Sequence, residues 1–173
     1  MKTRKLTLCA LMVSMALVLS YIERFIPLQM AIPLPSIKLG LANIVSLIAL
    51  YMLGGKYAYG ILALRCFLGS VFSGSITGLI FSLTGGSLAM LVMALARKIP
   101  FLSIYGVSIL GAAAHNIGQI CAAMVIMHSV YIGAYLPYLL VIAIVTGLAT
   151  GVAGAGVLRV LTRPDSPFLK GYH

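Results

Sequence analysis

A chain of 173 residues that is 62% apolar and 8% charged, with mean hydropathy +1.14, lies far from the roughly one-quarter charged content of a soluble domain and reads as an integral membrane protein. Twelve Lys and Arg against two acids give a net charge of +10, but the basic residues stand at the ends of apolar runs, an arrangement that excludes a nucleic-acid-binding face. Cys9, Cys66 and Cys121 lie singly inside apolar runs, so neither a disulfide framework nor a metal site is indicated.

Six apolar segments follow in chain order, roughly Leu6 to Ile22, Leu39 to Leu53, Tyr57 to Ser73, Gly78 to Ala96, Val107 to Met127 and Leu136 to Leu161. Crossing a hydrocarbon core of roughly 30 Å takes about twenty residues, so the spacing predicts an all-α, polytopic bundle of six transmembrane helices. The second segment is short and the last is long enough to tilt. With no room left for a soluble domain, residues 1–173 read as a single integral membrane domain. With the amino terminus in the cytoplasm, the inner side collects Lys2, Arg4, Lys5, Lys56, Arg97, Lys98, Arg159, Arg163 and Lys170, leaving Arg24 and Lys38 outside and Arg65 within the third segment. The positive-inside rule then places both termini in the cytoplasm. The first segment, behind "MKTRK", outruns a secretory core and is followed by "YIERFIPLQM" rather than a small-residue cleavage site, which predicts a retained helix. Tyr131, Tyr135 and Tyr138 at the outer edge, with Tyr51, Tyr57, Tyr59 and Tyr105 at the inner one, fit interfacial belts.

The connection Glu23 to Lys38, "ERFIPLQMAIPLPSIK", is long, apolar and broken by Pro27, Pro33 and Pro35, which forbid a continuous helix. It reads as a candidate lid over the outer end of the bundle or as an interfacial strap. Small residues are spaced for helix contact: Gly147, Gly151 and Ala155 form one i, i+4 ladder, Thr146, Thr150 and Gly154 another, and Ala10 with Ser14 a third.

The fifth segment contains "GAAAHNIGQI", in which His115 and Gln119 stand i, i+4 and Asn116 and Gln119 i, i+3, so their polar groups share one side of a helix near mid-span. Facing lipid, such groups would leave donors and acceptors unsatisfied at several kcal/mol. They therefore point inward, either as interhelical hydrogen bonds or as the wall of a cavity. Arg65 stands roughly 12 Å from the inner edge of its segment, where a guanidinium costs at least about 3 kcal/mol. The two acids are placed elsewhere: Glu23 beside Arg24 on the outer connection, Asp165 beside Arg163 in the tail. Arg65 is then satisfied by neutral acceptors such as Asn43, Gln119 or backbone carbonyls, by snorkelling, or by an anion from outside the chain. The last alternative predicts a membrane-embedded pocket walled by Asn43, Arg65, His115, Asn116 and Gln119, with Lys38 at its mouth.

"PLPSIKLGLANIVSLIALYMLGG", "LRCFLGS", "SLTGGSLAMLVM" and "GVSILGAAAHNIGQI" together resemble the bacterial Gx transporter family, whose other description is heptaprenyl diphosphate synthase component I. That family resembles the substrate-binding S components of energy-coupling factor transporters. The resemblance covers nearly the whole chain, and the "KLGLAN" and "GAAAHNIGQ" blocks carry most of its specificity. It implies six helices in an S-component-like bundle of the bacterial cytoplasmic membrane, an outward-facing pocket beneath the first outer loop, and uptake of a micronutrient driven by a membrane coupling subunit and two ATPases. Lys38, Asn43, Arg65, His115, Asn116 and Gln119 are the substrate-binding positions it carries over. On the first helix, Ala10 to Ser14 replaces the alanine-x-x-x-alanine contact of many S components.

Chemistry narrows the functions further. Prenyl-chain elongation needs aspartate-rich clusters that hold magnesium against a diphosphate leaving group, and two acids expected on opposite membrane faces cannot supply them. An accessory role in isoprenoid or quinone metabolism is the alternative reading. His115 and His128 lie about 20 Å apart on one helix axis, too far to ligate one haem together. No phosphate-binding glycine loop is present, so any ATP hydrolysis belongs to partners. No cofactor is implied. The expected partners are a small, anionic molecule and the lipid bilayer.

Overall fold

A computed structural model describes residues 2–25 and 38–162. Among them every regular element is helical: α1 (Lys2–Ile22), a 3-10 turn (Glu23–Phe25), α2 (Asn43–Met52), α3 (Gly55–Ser73), α4 (Ile76–Ala96), α5 (Ile104–Ile126), a second 3-10 turn (Val130–Tyr135) and α6 (Leu136–Leu161). Ser75 and Ser103 start α4 and α5 by accepting the Gly78 and Gly106 amides, which satisfies a donor that each first turn leaves over. The candidate lid, apart from its two ends, lies outside the described residues, as does Asp165.

Six helices stand where six segments are expected, but they are not six equal spans. Thr3–Ile22, Ile76–Ala96, Ile104–Ile126 and Val130–Leu161 are long and apolar enough to cross a membrane. α3 has the length but carries Lys56 and Arg65. α2 has 10 residues and covers only about 15 Å. Its surroundings explain how so short a helix is stable: it packs against each of the other five, and Asn43 and every residue from Val45 to Leu50 are buried. Arg97 closes the far end of α2 by donating to the Leu50 carbonyl and lying over the Tyr51 ring at 4.7 Å. Because α2 begins only at Asn43, the bundle interior beyond it is lined, among the described residues, by residues 38–42 and by side chains from the surrounding helices.

The remaining helices close around α2. α5 lies between α4 and α6, while α1 rests on α2 and α3. Glycines set the tight approaches: a Cβ at Gly118 would come within 2.8 Å of Gly85 Cα, and one at Gly147 within 2.6 Å of Ile109 Cα. The ladders on α6 therefore pack inside the subunit, with Gly147 and Gly151 against α5, Thr150 bonded to Ser108 at 2.8 Å, and Gly154 against Leu47 of α2. The α1 pair behaves differently. Ala10 and Ser14 are exposed on the outer side of the bundle, where Ser14 bonds the Ala10 carbonyl.

Candidate functional site

The half of the interior around α2 and the starts of α3 and α5 is apolar, with Leu47, Ile61, Leu62, Met93 and Val107 at its centre. The other half, near the junction of α1 with residues 38–42, collects polar side chains. Gly40 is its pivot. Its φ of +82° suits a residue without a Cβ, and a Cβ there would come within 2.8 Å of Asn43 Nδ2 and 3.1 Å of His115 Cδ2. Its amide donates to the Glu23 carboxylate, so the last turn after α1 is tied to the approach to α2.

Glu23 is the principal correction to the sequence reading, which leaves it on the outer connection beside Arg24 and away from the interior. It is 5% exposed. Burial pushes its carboxyl above the usual range, opposed by the Gly40 amide and by the charges of Lys38 and Arg65. An acid is thus close enough for Arg65 and Lys38 to act on it electrostatically. The signal was present, since Glu23 directly follows an apolar helix, but nothing in the sequence says that the chain turns inward there.

Arg65 lies about 15 Å along α3 from Gly55. It does not run back towards that end. Its Nη1 donates to Ser20 at 3.4 Å and its Nη2 to Asn43 Oδ1 at 3.3 Å, while the buried Nε has no partner among the described residues. Asn43 Nδ2 is likewise buried and unpartnered. Of the three polar residues on α5, two join this group. With its amide oriented to satisfy both ends, Gln119 donates to the Lys38 carbonyl at 3.1 Å and accepts from His115 Nε2 at 3.1 Å and the Lys38 amide at 3.2 Å. Asn116 turns the other way and donates to the Leu139 carbonyl of α6 at 2.8 Å. The Lys38 ammonium bonds Ser82 of α4 at 2.8 Å.

A cavity of about 380 Å³ opens against this group. Leu17, Val18, Ser20 and Tyr21 of α1 form one wall, Arg65, Cys66 and Gly69 of α3 its back, and Gly78 and Ser82 of α4 the other wall, with Lys38 completing it. Lys38 and Arg65 line the space directly. Asn43, His115 and Gln119 stand behind them, holding Arg65 and Lys38 in place, and Asn116 lies outside the group. Ser20, Ser82 and Gly40 were not singled out from sequence, and Glu23 was placed away from the group: hydroxyls and glycines on apolar segments are common, and only the fold reveals which of them face one another.

A family model described as heptaprenyl diphosphate synthase component I matches residues 12–157. The chain belongs to this family. The match runs from α1 to the last turns of α6 and so takes in every described residue of the polar group, which makes the cluster part of the family's own region rather than an appendage. No curated protein and no solved structure matches the chain. Membership and the apolar helices together make this a Gx-type membrane protein.

Proposed function

We propose that the protein is a membrane-embedded binding and transport subunit, similar to the S components of energy-coupling factor transporters, for a small anionic micronutrient or cofactor precursor. One observation carries the reading: a guanidinium that is 6% exposed, with an unpartnered Nε, faces a cavity that also presents the Lys38 ammonium. Keeping such a group at depth costs several kcal/mol unless something of opposite charge relieves it. Glu23 offsets part of that charge, and an anionic ligand completes the balance.

In this reading all six helices span, with α2 supported by its neighbours and residues 38–42, and both termini face the cytoplasm as the basic residues require. The cavity then faces outward, and energy for release comes from a membrane coupling subunit and its ATPases. The family description favours a second reading, an accessory component that holds a polyprenyl diphosphate for a separate synthase. In neither reading does this chain catalyse prenyl transfer, because its two carboxylates cannot assemble a magnesium site for a diphosphate.

Native mass spectrometry of the purified protein beside Arg65→Ala tests the proposal. A small anion retained by the wild type and lost from the variant supports transport. A retained polyprenyl diphosphate supports the accessory role, and equal retention by both proteins removes the cavity from the function.

A further inference from the structure

We infer that the ligand of this cavity is an amphiphile, with an anionic head held between Lys38 and Arg65 and an apolar body that leaves sideways between α1 and α4 into the bilayer. The inference rests on the reading of the cavity as an anion site. Its geometry comes from the helix packing: α1 and α4 each pack against α3 but not against each other, although both line the cavity. Between these two walls the described residues leave a gap at the level of the site.

Polarity changes along the path from depth to rim. At depth stand Arg65 and the Lys38 ammonium with its Ser82 bond. At the rim stand Val18, Tyr21 and Phe72, which are 59%, 60% and 76% exposed. Just beyond, Ile76 at the start of α4 is 79% exposed, so the apolar surface continues outward from the rim. Contiguous exposed apolar surface around a cavity mouth matches hydrocarbon better than water.

Size points the same way. About 380 Å³ is near the lower limit of ligand cavities, which run from roughly 300 to 1,000 Å³. It accommodates a charged head and a short apolar stretch. A longer body has to continue outside, and the gap between α1 and α4 is where the lining already turns apolar. A fully hydrophilic ligand would make no use of this rim.

The test uses the full chain in phosphatidylcholine nanodiscs, with empty discs as the partition baseline, and four probes: propanoate, octanoate, inorganic phosphate and octyl phosphate. Each buried methylene is worth roughly a fourfold gain in affinity, so three of them make the octyl probes at least roughly fifty-fold tighter than their short counterparts. The two head groups distinguish a carboxylate from a phosphate ligand. Arg65→Gln weakens the specific part of binding roughly ten- to hundred-fold, which simple partition into lipid would not show. Val18→Trp, a change at an exposed position, narrows the mouth and weakens the octyl probes at least tenfold. Short and long probes binding equally well would overturn the amphiphile while leaving the anion site standing. Absence of any Arg65-dependent binding would overturn the anion site and the inference with it.

Discussion

Replacing Arg65 by Met separates a residue kept for stability from one kept for a ligand. The substitution removes donors from Ser20 and from Asn43 Oδ1, whose hydrogen bonds are 3.4 and 3.3 Å long. Leaving the buried Asn43 oxygen unpaired costs about 1 to 3 kcal/mol. Against this, the substitution takes out a guanidinium that is 6% exposed and has an unpartnered Nε, relieving a burden of at least about 3 kcal/mol, and Met preserves most of the apolar stem. The two contributions nearly cancel, so the apo protein keeps its thermal midpoint or gains a few degrees. Binding behaves otherwise: charge-assisted hydrogen bonds contribute about 1.5 to 3 kcal/mol, and their loss weakens an anionic ligand roughly ten- to hundred-fold. Thermal unfolding in nanodiscs, with and without octyl phosphate, reads both quantities. A variant that unfolds well below the wild type and binds the probe normally would show that Arg65 serves the fold, and the reasoning would fail.

Three further perturbations have outcomes fixed by the structure. Glu23→Gln tests the acid beside the cavity with octanesulfonate, a probe that stays charged. Burial raises the Glu23 carboxyl above 4.5, so in the wild type affinity falls as pH rises through the folded pKa and the local charge drops by one, while the variant keeps the low-pH affinity throughout; a slope that persists in the variant would exclude Glu23 as the titrating group. The same raised value means that the folded state holds the proton more tightly than the unfolded state, so wild-type stability is greatest below 4.5 and declines above it, again not in the variant. Asn116→Ala removes the 2.8 Å bond to the Leu139 carbonyl and lowers stability by about 1 kcal/mol with anion affinity changed less than twofold, as calorimetry and probe titration check. Gly118→Ala forces a Cβ to within 2.8 Å of Gly85 Cα and costs about 1 to 3 kcal/mol, whereas Gly60→Ala, with no atom within 4 Å of the added carbon, gains about 0.5 to 1 kcal/mol; chemical denaturation in mild detergent compares them.

Helix positions were legible in the sequence because they depend on local apolar runs punctuated by glycine, proline and charge, and all six segments are recovered with shifted ends. The depth that each helix reaches was less legible. The segment Leu39 to Leu53 looks continuous, but Gly40 at φ +82° forces a turn and the helix proper begins at Asn43. Helical spacing placed His115, Asn116 and Gln119 on one side of α5, yet a patch a third of a circumference wide can touch two neighbours. Here it does, with His115 and Gln119 towards Lys38 and Asn116 towards α6. The charge balance was the least legible part. Whether Glu23 faces water or Arg65 depends on one turn after α1, and on a bond to Gly40 that is distant in sequence.

The placement of Glu23 changes the argument about the ligand without removing it. An isolated guanidinium would favour any anion, even a multiply charged one. With Glu23 ionised, the sum of Lys38, Arg65 and Glu23 is one positive charge, with the carboxylate accepting from the Gly40 amide and the guanidinium donating to Ser20 and Asn43. A single negative charge then neutralises the site, whereas a dianion restores neutrality only if Glu23 takes up a proton. On the proposed reading, the raised pKa of Glu23 makes that uptake accessible, so binding of a dianionic head is coupled to gain of up to one proton and binding of a monoanion to a smaller fraction. Calorimetry of octyl phosphate and octanesulfonate in buffers of different ionisation enthalpy measures the proton count directly. Uptake approaching one proton with the phosphate, a smaller fraction with the sulfonate and none with either in Glu23→Gln is the expected result, and uptake that persists in Glu23→Gln would exclude Glu23 as the group that balances the site.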